Sequence, residues 1–345
     1  MRTSIHPGDL ADCPVEELAT SAPPARWHGP LQELGTHCRD GGWVVAGARD
    51  VEAALGSAAL SVVPAAGNGG PAAELIASMA RFSDGADHTR RRDLLVSLLP
   101  PVPTVAAAAG ARTNDYLRRR SAAFDIMPMA RQLPAEVLAL SLGLSPAVAD
   151  RAATLTGILC DAVTPALRPR EGTEGAGDPA AVALAGVVAD GLGTSDTDRI
   201  TAAISLLFQA RDATAALIGT TVLAGRGDDT AVPAAQRIDD VLRHDAPVQC
   251  TRRTAIQDTA VGAARIPAGA PVWIFVATAE RGGGRPATFG SGPHGCPGAA
   301  HATAIARQVA AVLLADGWRP VPGQRVELEP RPNLRIPARV LVARS

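Results

Sequence analysis

The 345-residue chain is predicted to be mainly α-helical with small β-sheets. Two observations carry that prediction. Apolar residues recur at helical spacing from about residue 88 to residue 225, and short β-branched or aromatic runs bounded by Gly and Pro cluster toward the two ends. Hydrophobic residues make up 47% of the chain, enough for a large core, yet no uninterrupted apolar run approaches the ~20 residues a bilayer span needs. A single domain over residues 1–345 is expected, with a mixed α/β part at 1–85, a helical part at 86–238 and a closing part at 239–345.

Trp43, Val44 and Val45 read as an extended piece, and residues 51–55 as a short helix. Residues 65–71 and 168–179 are rich in Gly and Pro, have no period, and are expected as loops. Residues 104–126 make an Ala-rich helix, 134–143 an apolar helix entered at Pro134, and 146–163 a further amphipathic one. The longest helix, about 196–224, is expected to start at a capping box of Ser195 and Asp198 and to carry Ile200, Ile204, Leu207, Phe208, Leu217 and Ile218. A helix that long and that apolar crosses a core. A short helix at 239–245 follows, then strand-like pieces at 248–255, 266 and 272–277 around a turn at Pro267, a Gly-rich loop, and a closing helix at 299–314.

Lys and Arg total 33 against 34 Asp and Glu, so no charge excess recommends nucleic acid or an anionic membrane as partner. Cys13, Cys38, Cys160, Cys250 and Cys296 are scattered and never form a CxxC pair, which fits neither a disulfide framework nor a zinc finger. With no basic-then-apolar signal pattern at the N-terminus, a cytoplasmic location is expected.

Chemistry concentrates at FGSGPHGCPG, residues 289–298, immediately before the closing helix. Each part has a use if Cys296 binds iron: glycines would let the backbone approach a flat macrocycle, the positive end of the following helix would stabilise the thiolate, His294 would reach a carboxylate, and Phe289 would shield the sulfur. By this chain's own residue frequencies the six fixed positions F-G-x-G-x-H-x-C-x-G recur by chance on the order of once per million such sequences, so a merely structural Gly-rich loop is a poor explanation. A zinc or iron site of His294, Cys296 and His301 is an alternative that lacks a visible fourth ligand.

The segment resembles the haem-binding loop of the cytochrome P450 family, and the resemblance extends along the chain. It implies a P450-like fold, a haem b (iron protoporphyrin IX) cofactor, Cys296 as iron ligand, and Phe289, His294 and Gly298 around it. ADHTRRR at 86–92 is similar to the family's C helix and implies His88 and Arg92 as propionate donors. PVQCTRR at 247–253 is similar to the strand after the K helix, with Arg253 as another donor and Val248, Gln249 and Cys250 beside the substrate; for Cys250 a small core residue is the plainer reading. The long helix aligns with the I helix. There QARDAT at 209–214 stands for A-G-x-(D/E)-T-T, giving Gln209 and Ala210 to the pocket, Asp212 as the acid, Ala213 where the family has a proton-delivering Thr, and Thr214 in the second Thr position. The K-helix E-x-x-R becomes Asp240 and Arg243, expected to be kept as a structural pair. The J helix and the meander are shortened.

These features imply a haem-thiolate oxidoreductase of bacterial secondary metabolism acting on a small or carrier-bound molecule. A ferredoxin or another electron donor is the expected partner, although the trimmed proximal face weighs against a standard ferredoxin. With the Thr absent, the oxidant is open: the substrate's own hydroxyl or a water replaces it, peroxide serves, or the reaction is not a monooxygenation. Two further readings are a catalytically silent P450-like accessory protein, against which the intact Cys296, His294, His88, Arg92 and Arg253 argue, and a haem gas sensor.

Overall fold

The computed structural model describes residues 15–21, 24–63, 69–120, 122–163, 175–225, 232–279 and 287–344. In chain order the elements are α1 (Val15–Ser21), α2 (Pro24–Leu34), β1 (His37–Arg39), β2 (Gly42–Val45), α3 (Ala48–Gly56), β3 (Leu60–Ser61), α4 (Pro71–Ala77), α5 (Gly85–Ser97), α6 (Val102–Leu117), β4 (Phe124–Asp125), α7 (Met127–Ser141), α8 (Pro146–Val163), α9 (Gly177–Leu192), α10 (Thr197–Ala224), α11 (Ala234–His244), β5 (Thr251–Ala255), β6 (Thr259–Val261), β7 (Ala264–Ile266), β8 (Pro271–Ile274), α12 (Ala299–Ala315), β9 (Trp318–Pro320) and β10 (Leu341–Arg344). The predominance of helix agrees with expectation. The expected loops at 65–71 and 168–179 lie largely outside the described residues, as does most of the shortened meander between Ala279 and Phe289; of the shortened J-helix stretch from Gly225 to Asp239, residues 226–231 lie outside them and α11 begins at Ala234. α4 and α9 begin inside those two loops, at Pro71 and Gly177.

The chain divides into two compact units. One comprises residues 1–63, 239–296 and 328–335; the other comprises 64–238, 297–327 and 336–345.

The first unit is built on a sheet of order β1-β2-β8-β5-β3, with β2 and β8 parallel. Side chains alternate across a strand, and the register exploits this. Val45 opposite Ile274 packs on one face with Val51, Ala54 and Leu55 of α3, while Val44 opposite Trp273 packs on the other with Trp27, Leu31 and Phe275. Arg253 pairs with Val272 in β8 and therefore points to the α3 side, where it is only 5% exposed.

In the second unit α10 packs against α5, α7, α8, α9 and α12. It is buried from Thr201 to Leu207 and again from Thr214 to Val222, as an all-round apolar helix should be. Its cap differs from expectation. Asp196, not Ser195, is the N-cap, and its carboxylate accepts from the backbone N–H of Asp198 at 3.0 Å and of Arg199 at 3.2 Å. Gly219 marks the close approach to α7, since a Cβ there would fall 2.7 Å from Met127 Sδ. α7 starts seven residues before Pro134, which sits buried inside it. Proline breaks the local ladder, but packing on α6, α8 and α10 holds the helix across the break. The segment 292–315 is apolar enough to span a membrane by composition, yet α12 buries Ile305, Ala306, Val309, Ala310 and Leu313 against α6 and α10.

Candidate functional site

In the first unit, the cysteine segment folds into two 3-10 turns, Ala287–Phe289 and Gly292–His294. Gly290 and Gly292 link them at φ +66°, a left-handed conformation that side-chain-bearing residues adopt only with strain. The Cys296 N–H donates to the Phe289 carbonyl at 2.7 Å and closes the loop, leaving Cys296, Phe289 and His294 half-buried. Two anchors fix it. The buried Thr288 hydroxyl donates to the Val248 carbonyl at 2.9 Å, and Gly292 sits where a Cβ would come within 3.4 Å of the Leu55 carbonyl at the end of α3. Arg253 lies on the side of the sheet that α3 covers.

Gly298 is the N-cap residue of α12, and its carbonyl accepts from Ala302 at 2.9 Å. A Cβ on Gly298 would meet no described atom within 4 Å. Within the first unit, the buried arginine of the sheet and the half-buried imidazole and cysteine of the loop are a side-chain set whose chemistry suits an anionic group with a thiolate ligand.

In the second unit, α5 carries His88, 6% exposed, and the half-buried Arg92, four residues apart on one face. Its neighbours have other tasks: Arg90 pairs with Asp198, and Arg91 donates to the Ala77 carbonyl at 2.8 Å and to Ser83 Oγ at 2.6 Å.

On α10, Arg211 is 7% exposed and holds three contacts. Nη1 lies 2.9 Å from both Asp161 Oδ1 and Asp212 Oδ1, and Nη2 lies 3.2 Å from Asp161 Oδ2. Burial opposes its charge, but Asp212, Cys160 and Asp161 together hold the guanidinium pKa above the ordinary arginine value. Asp212 is thus clamped as part of a buried Asp–Arg–Asp group. Ala210 and Ala213 are half-buried, and Thr214 is enclosed at 1% exposure. Gln209 Nε2 donates to Ser205 Oγ at 2.6 Å. Ser78, Met79, Ala80, Leu95, Thr201 and Ser205 line a narrow cleft on the same unit.

Several expected residues are placed differently. Gln249 is wholly buried: Oε1 meets His28 Nε2 at 2.9 Å, and Nε2 donates to the Ala246 carbonyl. Cys250 is equally buried among Trp27, Phe275 and their neighbours, which pushes its thiol pKa up, and its Sγ lies 3.5 Å from the Pro332 carbonyl. Gln249 is a core residue of the first unit rather than pocket lining, and Cys250 takes the core position that is its plainer reading; Val248, half-buried, serves as the anchor of the cysteine loop. The Asp240–Arg243 pair does not form. Both side chains are exposed, where water competes with a short aspartate arm, and the buried arginine of α11 is instead Arg237, donating to the Val232 carbonyl at 3.1 Å. Among the described residues no three His, Cys, Asp or Glu side chains converge on a metal position, so His294, Cys296 and His301 do not build the alternative zinc site. His301 donates through Nε2 to the Pro100 carbonyl, 2.8 Å away.

Sequence reasoning missed Arg211, Asp161, Ser205 and Thr288. For Arg211 a signal existed, since a lone cation in an otherwise apolar helix needs a buried partner.

The architecture is that of the cytochromes P450. The solved structures that share it include CalO2, with a TM-score of 0.76 at 19% identity over 100% of this chain and 99% of that one. P450BioI, solved in complex with hexadec-9Z-enoic acid ligated acyl carrier protein, gives 0.74 at 18% identity over 93% and 98%. CYP109E1 from Bacillus megaterium, in complex with testosterone, gives 0.74 at 17% identity over 96% and 99%. The chain is a bacterial-P450-like protein in its fold. No family model and no curated protein matches it.

Proposed function

We propose that this protein is a haem-thiolate oxidoreductase, with haem b as cofactor and Cys296 as the iron ligand. The observation that carries this reading is the closed loop in which Cys296 N–H donates to Phe289, between left-handed glycines and the start of α12. Arg253 and His294, with His88 and Arg92 of α5, are the cationic donors for the two propionates; Phe289 packs beside the sulfur, and Gly298 leaves room for the ring. Bound haem supplies redox chemistry at iron, where thiolate donation favours O–O cleavage.

The chain's own residues then divide the remaining work. Asp212, clamped by Arg211, is the acid of α10. Ala213 offers a methyl where a hydroxyl would hold a proton or a water, and Thr214 is enclosed in the core, so neither supplies that hydroxyl. This single absence favours a second reading, in which peroxide is the oxidant or the reaction is not a monooxygenation. Gln209 and Ala210 face the substrate, a small or carrier-bound molecule; the carrier-bound case is supported by the likeness to P450BioI with its acyl carrier protein. A cytoplasmic place in bacterial secondary metabolism, with a ferredoxin or another electron donor, completes the proposal.

Ligation is the direct test. Cys296→Ala should lose the thiolate-ligated haem spectrum while Cys250→Ala keeps it; equal behaviour of the two variants would remove Cys296 from the proposal. Turnover with peroxide alone, set against turnover with a reductase system, separates the two oxidant readings.

A further inference from the structure

Polar side chains recur every four residues along one stripe of α10, at Thr201, Ser205 and Gln209, and the stripe then reaches Ala213. Residues spaced by four are neighbours on a helix surface. Thr201 and Ser205 are 9% and 1% exposed, and both line the cleft formed with Ser78, Met79, Ala80 and Leu95. A buried hydroxyl is costly unless bonded, and Ser205 Oγ is satisfied by the Gln209 amide at 2.6 Å.

That bond has a directional consequence. It commits Nε2 to Ser205 and fixes the amide plane, so Oε1 projects from the opposite corner. Gln209 is half-buried, and among the described residues no donor reaches Oε1. An oriented, partly desolvated acceptor one turn before Ala213 is a recognition element, and no group among the described residues uses it.

We infer that the substrate carries a hydroxyl or N–H donor that Gln209 Oε1 receives, with Ser205 as the positioning residue that holds the amide. The inference rests on the proposed function only in taking residues 209–213 of α10 as the substrate-facing segment. It specifies the substrate class: an apolar body bearing at least one hydrogen-bond donor, held so that this donor is about one helical turn from Ala213.

Matched probes test it on the holoprotein, with binding read by calorimetry. The pairs are 1-adamantanol with 1-methoxyadamantane, 4-phenylbutan-1-ol with its methyl ether, and indole with N-methylindole. In at least one pair the donor-bearing member should bind about tenfold tighter, as expected for one hydrogen bond in a partly dry site. Gln209→Leu should bring that ratio close to one, and Ser205→Ala should reduce it in part. Equal binding within every pair, tighter binding of the ether or N-methyl member, no binding of any probe, or a preference that survives Gln209→Leu would each overturn the inference. The reduced carbon monoxide spectrum of each sample keeps the two claims apart. A missing thiolate band with the donor preference intact sinks the haem reading alone, and an intact band without the preference sinks this inference alone.

Discussion

Replacing Arg211 by Met should destabilise the protein by about 3 kcal/mol. The guanidinium bridges Asp161 and Asp212 at 2.9–3.2 Å, and each charge pair is worth roughly 4 kcal/mol at an effective dielectric constant near 20. Desolvation of the arginine offsets much of that gain. Truncation is nevertheless expensive because it leaves two carboxylates facing each other, and breaking a buried pair costs about 3–5 kcal/mol. The aspartates keep 27% and 17% of their side-chain surface exposed, so water relieves part of the repulsion and the lower end of that range applies. Urea denaturation at neutral pH reads the loss. The same experiment on Arg211→Met combined with Asp161→Asn should recover a large part of it, because removing one carboxylate removes the repulsion. A loss below about 1 kcal/mol, or no recovery in the double variant, would show that the group is neither buried nor coupled as described.

Three further outcomes follow from the same structure. Hydrogen bonds from Arg344 and from Trp318 Nε1 hold the Asp316 carboxyl below the usual aspartate value, so its contribution to stability is in place above the unfolded value and is lost as pH falls through the lowered folded one; Asp316→Asn should remove that acid-side loss in a pH series of thermal melts. Gly292→Ala should cost about 1–2 kcal/mol and loosen haem retention, because φ is +66°, a conformation that strains a residue with a Cβ; unchanged haem retention would deny the loop its positioning role. Ala213→Thr should change the coupling of oxygen consumption to product, measured with an oxygen electrode, and an unchanged ratio would take the missing hydroxyl out of the chemistry.

The long helix was legible because its apolar residues are periodic over many turns, and the extent expected, 196–224, differs from Thr197–Ala224 by one residue. Its cap was misplaced because Ser195 and Asp196 are both good cap formers and only the backbone path decides between them. Pro134 read as a helix start, since the signal for a start is local while the forces that carry α7 past it come from neighbouring helices. The cysteine segment was legible as a motif, because Gly290, Gly292, Gly295 and Gly298 within ten residues mark a loop around one cysteine. Its anchor Thr288 was not, because the Val248 carbonyl lies 40 residues away in sequence. Non-local pairing also hides the Arg211–Asp161 clamp, 50 residues apart, and it explains why the sequence places Gln249 in a pocket. Motif position places Gln249 near the substrate, whereas the hydrogen bond that its Oε1 accepts from His28 draws it into the sheet's core, where Cys250 joins an apolar cluster. Asp240 and Arg243 kept the spacing of a pair without the burial that makes such a pair worth forming.

The proposed thiolate ligation of haem by Cys296 is tested most directly by the reduced, carbon monoxide-bound absorption spectrum. Haem-replete protein should show the red-shifted Soret band of a thiolate-ligated haem, and Cys296→Ala should not. A wild-type Soret band at the position of an imidazole-ligated haem, or one that Cys296→Ala leaves in place, would contradict the account.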